Sequence, residues 1–213
     1  MTLATSKIID LKNIATCHRL AFPDSYASKL GEKYCMKMFE WYIDSNNGLL
    51  FHLLNEKGIC IGYCGSIIND GKLDAGSSSS IMQYSYRQGI KSLCIRPWLI
   101  FHSEVIANYK LIQKNIFVKL GLKKHARTPV SKEKMSSNPH MGLVVIGVRA
   151  KMQGKGIGGH LLKELEKRTN DFGIKKMKLT VEEYNKTALK AYIKNGWEIS
   201  SSSSGKIFMS KAL

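Results

Sequence analysis

The residues with the clearest chemical potential lie in Gln153-Gly-Lys-Gly-Ile-Gly-Gly159, directly after the apolar run Met141–Val148 and at the head of an amphipathic stretch reaching Asp171. Glycine lets a backbone approach a ligand closely. The N–H groups at a helix start have no helical partners, and the helix dipole favours an anion there. Together these properties suit a diphosphate group. A P-loop would require Ser or Thr after Gly-Lys, and Gly154-Lys155 is followed by Gly156. Further along, Asn185, Ala188 and Tyr192 are spaced for successive turns of one helix, which Asn195-Gly196 would cap. The plain reading of Tyr192 is a core tyrosine with its hydroxyl partnered.

These groups need elements to position them. From Met141 the pattern reads strand (Met141–Val148, apolar enough to be buried on both faces), helix (Gly156–Asp171), strand (Lys176–Val181) and helix (Asn185–Asn195). Two strands, Trp197–Ser201 and Lys206–Ser210, follow across Ser202–Gly205. Alternating strands and helices imply an α/β layered sheet. Upstream, Leu11–Phe22 places Leu11, Ile14, Cys17, His18 and Ala21 on one helical face. A second helix over about Leu30–Ile43 carries a stripe of Tyr34, Met38 and Trp41, and Leu49–Leu54 with Ile59–Ile68 flank a turn at Asn55–Gly58.

Residues 70–140 differ in texture. Gly71, Gly76 and Ser77–Ser80 read as a flexible connector, followed by a long helical pattern of Trp98, Phe101, Val105, Tyr109, Ile112, Ile116 and Leu120. Residues 71–140 hold twelve Lys and Arg against three Asp and Glu, so this segment reads as a basic helical insertion within a single domain spanning 1–213.

The chain of 213 residues is 44% hydrophobic and 23% charged, ample for a core without disulfides. No apolar run approaches the roughly 20 residues of a membrane span, and the N-terminus lacks secretory character, so a cytoplasmic protein is expected. Five cysteines without a CxxC pair, and histidines away from metal-ligand spacing, suggest free thiols and no metal. The net charge of +17 attracts anions: phosphate-bearing ligands, nucleic acid or an anionic membrane surface. No nucleic-acid motif or aromatic stacking pattern accompanies the charge, so nucleic acid is not expected as a partner.

The glycine turn followed by Asn185-x-x-Ala188-x-x-x-Tyr192-x-x-x-Gly196-Trp197 resembles the GCN5-related N-acetyltransferases (GNAT) over about Leu143–Trp197. The resemblance implies a GNAT-like α/β fold, with a mixed, mostly antiparallel central sheet flanked by helices. It also implies acetyl-CoA as acyl donor and an amine acceptor. Ile146, Gly147 and Val148 would pair with the pantetheine arm, with Gly147 at a bulge or close approach. Gln153, Gly154, Lys155, Gly156, Ile157, Gly158 and Gly159 would hold the pyrophosphate; Asn185 would touch the arm. Tyr192 would protonate the departing thiolate. Many relatives carry a carboxylate on the first central strand, but Leu143–Val148 has none. Glu182 is the nearest in sequence, with Glu183 and His140 behind it; a solvated loop charge is its plainer reading, and a water chain could serve as base instead.

A strongly cationic enzyme should favour an anionic amine, such as a nucleotide-linked amino sugar or an amino acid. Acetylation of a protein N-terminus or lysine, and a catalytically silent CoA-binding protein, are the alternatives. The stripe from Trp98 onward is expected to pack on the core and shape an acceptor pocket, with contact to an anionic membrane surface as the other arrangement. Oligomeric state is open.

Overall fold

Seven strands form one sheet in a computed structural model that describes residues 1–70, 78–107 and 138–213. The strands are β1 (Thr2–Thr5), β2 (Gly48–Leu54), β3 (Cys60–Asn69), β4 (His140–Val148), β5 (Lys176–Glu182), β6 (Glu198–Ser203) and β7 (Lys206–Ala212). Their order is β1-β2-β3-β4-β5-β7-β6, antiparallel throughout except for the parallel pair β4–β5. The mixed, mostly antiparallel sheet expected from the sequence is therefore present. The hairpin at Asn55–Gly58 forms as anticipated. Gly58 takes φ +69°, and the Asn55 carboxamide oxygen accepts from the N–H groups of Lys57 and Ile59.

The helices are α1 (Leu11–Ala21), α2 (Tyr26–Leu30), α3 (Glu32–Asp44), α4 (Ser78–Ile95), α5 (Ser103–Ala107), α6 (Ile157–Asp171) and α7 (Lys186–Lys194). Helices α6 and α7 cover one sheet face, where Leu161, Leu162, Leu165, Tyr192 and Trp197 pack with Cys64, Met141, Met177 and Met209. Helices α1, α3 and α4 cover the other, where Ile14, Cys17, Phe39, Tyr42 and Ile81 pack around Tyr63.

Several expectations need correction. The buried face of α3 is Cys35, Phe39, Trp41 and Tyr42; of the anticipated stripe, Trp41 belongs to it, Met38 packs partly buried against it, and Tyr34 does not join it. Tyr34 turns instead toward α4, where its ring lies against Gly89 and its hydroxyl accepts from Ser85. Ser78–Ser80 begin α4 rather than serving as a connector. The helix pattern did not reveal this, because serine's weak helix propensity was overridden by packing of Ile81 and Ser85 against α3. Within the anticipated stripe, Pro97 starts a 3-10 helix (Pro97–Phe101), which turns Leu99 inward and leaves Trp98 and Phe101 63% and 73% exposed. The stripe from Tyr109 to Leu120 lies outside the described residues. No helix among the described residues is long and apolar enough to cross a membrane.

Burial has a consequence at His18. Its Nδ1 lies 2.5 Å from the Tyr63 hydroxyl, and desolvation lowers its pKa from 6.5 to about 4. A depressed histidine pKa stabilises the fold above pH 6.5, and that contribution is lost as pH falls through 4. The difference amounts to about 3 kcal/mol at most. The urea midpoint should therefore fall between pH 6.5 and 4, and less steeply in His18→Gln; identical slopes in the two proteins would refute the assignment.

Candidate functional site

Strands β4 and β5 are paired only at Met141–Met177, Gly142–Lys178 and Leu143–Leu179. Beyond Leu143 they part, because β4 is bent by a bulge. The β3 register jumps from Gly65–Val145 to Ser66–Leu143, leaving Val144 unmatched and 38% exposed. The strand is therefore not buried on both faces, as the apolar run suggested. The bulge sits at Val144 and not at Gly147.

From Val144 to Val148, over about 13 Å, no strand among the described residues pairs with the edge of β4 that would face β5. The Arg149 N–H donates to the Ile61 carbonyl on β3 at 3.0 Å. Backbone groups alternate along an antiparallel strand, so those of Ile146 and Val148 point into the gap and those of Gly147 toward β3. Gly147 serves differently from Ile146 and Val148. A Cβ there would lie 2.5 Å from the Tyr63 ring, so only glycine allows β4 to pass over that buried tyrosine.

The glycine turn lies at the end of this open edge. Gln153 Nε2 donates to the Val148 carbonyl at 3.0 Å and closes the loop that leads into α6. Gly154 and Gly156 adopt φ +75° and +81°, the left-handed region that favours glycine. The first helical bond runs from the His160 N–H to the Gly156 carbonyl, so the N–H groups of Ile157, Gly158 and Gly159 precede the helical ladder. A Cβ on Gly154, Gly156 or Gly158 would meet nothing within 4 Å. The surface above the helix start is open. Ile157 turns its side chain into the core at 3% exposure, so only its backbone can serve a ligand, while Lys155 is exposed on the turn. Gly154, Gly156 and Gly159 also satisfy the G-x-G-x-x-G spacing of dinucleotide-binding turns. The parting of β4 from β5 and the antiparallel remainder of the sheet separate this fold from a doubly wound parallel one.

Helix α7 brings the second motif alongside. Asn185 is its N-cap, with Oδ1 accepting from the Ala188 N–H at 3.2 Å. At the other end, Asn195 Oδ1 is 3.4 Å from where a Cβ on Gly159 would stand, so the two motif helices meet through the last glycine of the turn. Tyr192 is 9% exposed, its ring tilted against Trp197 at 6.0 Å. Burial pushes its pKa up to about 12, with a further contribution from Cys64, the β3 residue paired with Ile146. Tyr192 thus shares one core cluster, on one sheet face, with Cys64 and the partly buried Ile146.

The expected carboxylate lies elsewhere in the arrangement. Glu182 ends β5 on the same side as Val148, half-exposed and 3.7 Å from Lys206 across the strand pair. Glu183 is exposed beyond it. His140 occupies the opposite end of β4, about 26 Å from Val148, too far to serve the same chemistry. Sequence reasoning missed Tyr63, Arg149 and the bulge. Val144 carried no sequence signal for it, since bulges arise from pairing rather than residue type. Among the described residues no group of three or more His, Cys, Asp or Glu could hold a metal ion.

Residues 120–197 match the family model described as Acetyltransferase (GNAT) family. A comparison with curated protein sequences finds no match. Among solved structures, the PaiA N-acetyltransferase from Thermoplasma acidophilum in complex with coenzyme A superposes at TM-score 0.57 with 14% identity, covering 100% of this chain and 98% of that one. The GNAT superfamily phosphinothricin acetyltransferase from Sinorhizobium meliloti in complex with AcCoA gives 0.54 at 16% identity, covering 100% and 88%. The ribosomal-protein-S18-alanine N-acetyltransferase from Escherichia coli gives 0.51 at 14%, covering 99% and 92%. At such identities the likeness establishes the fold.

Proposed function

Because the chain carries an acetyltransferase domain of the GNAT family, we propose that it transfers the acetyl group of acetyl-CoA to a primary amine of an anionic small molecule, such as a nucleotide-linked amino sugar or an amino acid. The observation that carries this reading is the coincidence, at one end of the sheet, of three features. These are a β4 edge left by β5 after Leu143, a glycine-rich helix start whose one large side chain, Ile157, turns inward, and a buried tyrosine in the core cluster that Ile146 packs against.

Bound acetyl-CoA would supply the thioester whose carbonyl the amine attacks. The N–H groups of Ile157, Gly158 and Gly159 fit its pyrophosphate, with Gln153 bracing the turn and Lys155 adding charge. Backbone groups of Ile146 and Val148 fit the amides of the pantetheine arm, as an added strand would. Asn185, whose oxygen caps α7, retains its amide nitrogen for the same arm. As the new C–N bond forms and the C–S bond breaks, the amine's proton passes to Glu182 or to water, and the Tyr192 hydroxyl donates a hydrogen bond to the departing thiolate sulfur. Lys206 keeps a positive charge beside Glu182.

The anionic acceptor follows from the charge of the molecule. A field of +17 draws in anions and repels polycations such as polyamines. A turnover screen against amine classes tests this: anionic amines should be preferred, and raising salt should increase their KM more than it lowers kcat. Preference for a polycationic amine, or a KM indifferent to salt, would overturn the acceptor class while leaving the acetyl donor in place.

A further inference from the structure

Behind α1, on the side away from the sheet, lies a second concave site. Thr16, Arg19 and Leu20 from α1, Ser28 and Lys29 from α2, and Arg96, Trp98 and Leu99 after α4 enclose a cleft of about 530 Å³, with Pro23 completing the wall. That volume falls within the range of small-molecule sites, about 300 to 1,000 Å³. At 100° per residue, Thr16, Arg19 and Leu20 lie about half a turn around α1 from Ile14, Cys17 and His18, which face the sheet. The cleft is thus separated from the open edge of β4 by the thickness of a helix.

Its chemistry is uneven in a way that selects a ligand. Three cations converge: Arg19, Lys29 and Arg96. Arg96 is fixed by its Nη1, which donates to the Lys29 and Leu30 carbonyls at 3.1 and 3.0 Å, so its place in the cleft wall is set before any ligand arrives. Lys29 is 3.0 Å from the highly exposed Asp24, and the Thr16 hydroxyl is 3.4 Å from Glu32 Oε2, but among the described residues neither carboxylate lines the cleft. Thr16 and Ser28 contribute hydroxyls. The indole of Trp98, 63% exposed, adds a flat apolar face beside the cations, whereas Trp41 and Trp197 are buried at 7% and 2%. An exposed indole beside a preorganised arginine suits a ring stacked on one and a phosphate held by the other.

We propose that this cleft is a binding site, distinct from the acetyl-CoA groove, for a nucleotide: a phosphate seated among Arg19, Lys29 and Arg96, with its base on Trp98. The site stands independently of the acetyltransferase reading, since no residue of the glycine turn or of β4 contributes to it.

Trp98 supplies the readout, as the one exposed indole of the three. AMP, adenosine and inorganic phosphate are titrated separately into the Gly158→Val variant, in which the glycine turn is blocked without adding a second adenine nucleotide. Tryptophan emission is followed with excitation where the nucleotide does not absorb, and binding is measured in parallel by calorimetry. AMP should quench saturably and bind at least tenfold more tightly than either adenosine or phosphate. Arg19→Gln and Trp98→Phe should each weaken calorimetric binding of AMP about tenfold, with unchanged melting temperatures. Arg19→Gln is preferred to a change at Arg96, whose guanidinium also holds the end of α2. Equal affinities for AMP and adenosine, no saturable quenching, or undiminished AMP binding in both variants would overturn the proposal. If CoA failed to bind the unsubstituted protein, the acetyltransferase reading would fall, and the same titration would still decide this one.

Discussion

Gly158→Val is expected to abolish the protection that CoA gives against unfolding while leaving the unliganded protein folded. A ligand at a hundredfold excess over its dissociation constant stabilises the native state by about 2.7 kcal/mol, which for a chain of this size raises the melting temperature by about 5 to 10 °C. The position is chosen on geometry. A Cβ at Gly158 would meet nothing within 4 Å, and the residue is helical, so valine fits the backbone without strain and is a better helix former than the glycine it replaces. Its branched side chain would stand over the free N–H groups where the pyrophosphate is proposed to sit. Gly156, at φ +81°, is a poorer test, because a side chain there costs about 1 to 2 kcal/mol of backbone strain and confuses loss of binding with loss of fold. Full CoA protection in Gly158→Val would show that the helix start is not the cradle. Protection by NAD or ATP but not by CoA would reassign the turn to another nucleotide.

What could be read from the sequence was whatever depends on local order. The helix Ile157–Asp171 and the strand Lys176–Glu182 show themselves through periodicity, and the glycine turn and the Asn185-to-Tyr192 spacing are contiguous motifs. The four-residue strand Thr2–Thr5 was too short to declare itself beside the helix that follows. Features created by pairing were hidden. The departure of β4 from β5 after Leu143 is what opens the proposed groove, yet Leu143–Val148 reads as a uniform apolar strand. Gly147 illustrates the difference: sequence marks it as special, but only the register that sets it opposite Tyr63 shows that a ring, not a bulge or a ligand, excludes its side chain. The basic cleft depended on a similar conjunction. Arg96 lies 67 residues beyond Lys29 and joins Arg19 and Lys29 because its guanidinium binds the carbonyls that end α2.

Tyr192→Phe is expected to lower kcat about a hundredfold, with little change in the apparent affinity for acetyl-CoA and none in stability. Stability is preserved because the ring, not the hydroxyl, packs against Trp197 and the α6 residues of the core. The size of the rate effect follows from what the hydroxyl can do. With its pKa near 12, it stays protonated throughout the working range, so it is always available as a donor. A thiol ionises near 8.5, so complete transfer of the tyrosine proton to a thiolate would be uphill by on the order of 5 kcal/mol. In the proposed reaction Tyr192 would therefore stabilise the sulfur by a hydrogen bond that strengthens as charge develops, an interaction made in the transition state and not with the bound thioester. Single-turnover measurement isolates that step from product release. The raised pKa also fixes the pH dependence: ionisation of Tyr192 should cause no loss of rate between pH 7 and 10. An unchanged single-turnover rate in Tyr192→Phe would return the residue to a purely structural role. A basic limb below pH 10 that vanished in the variant would show that the hydroxyl titrates during catalysis, contrary to its burial.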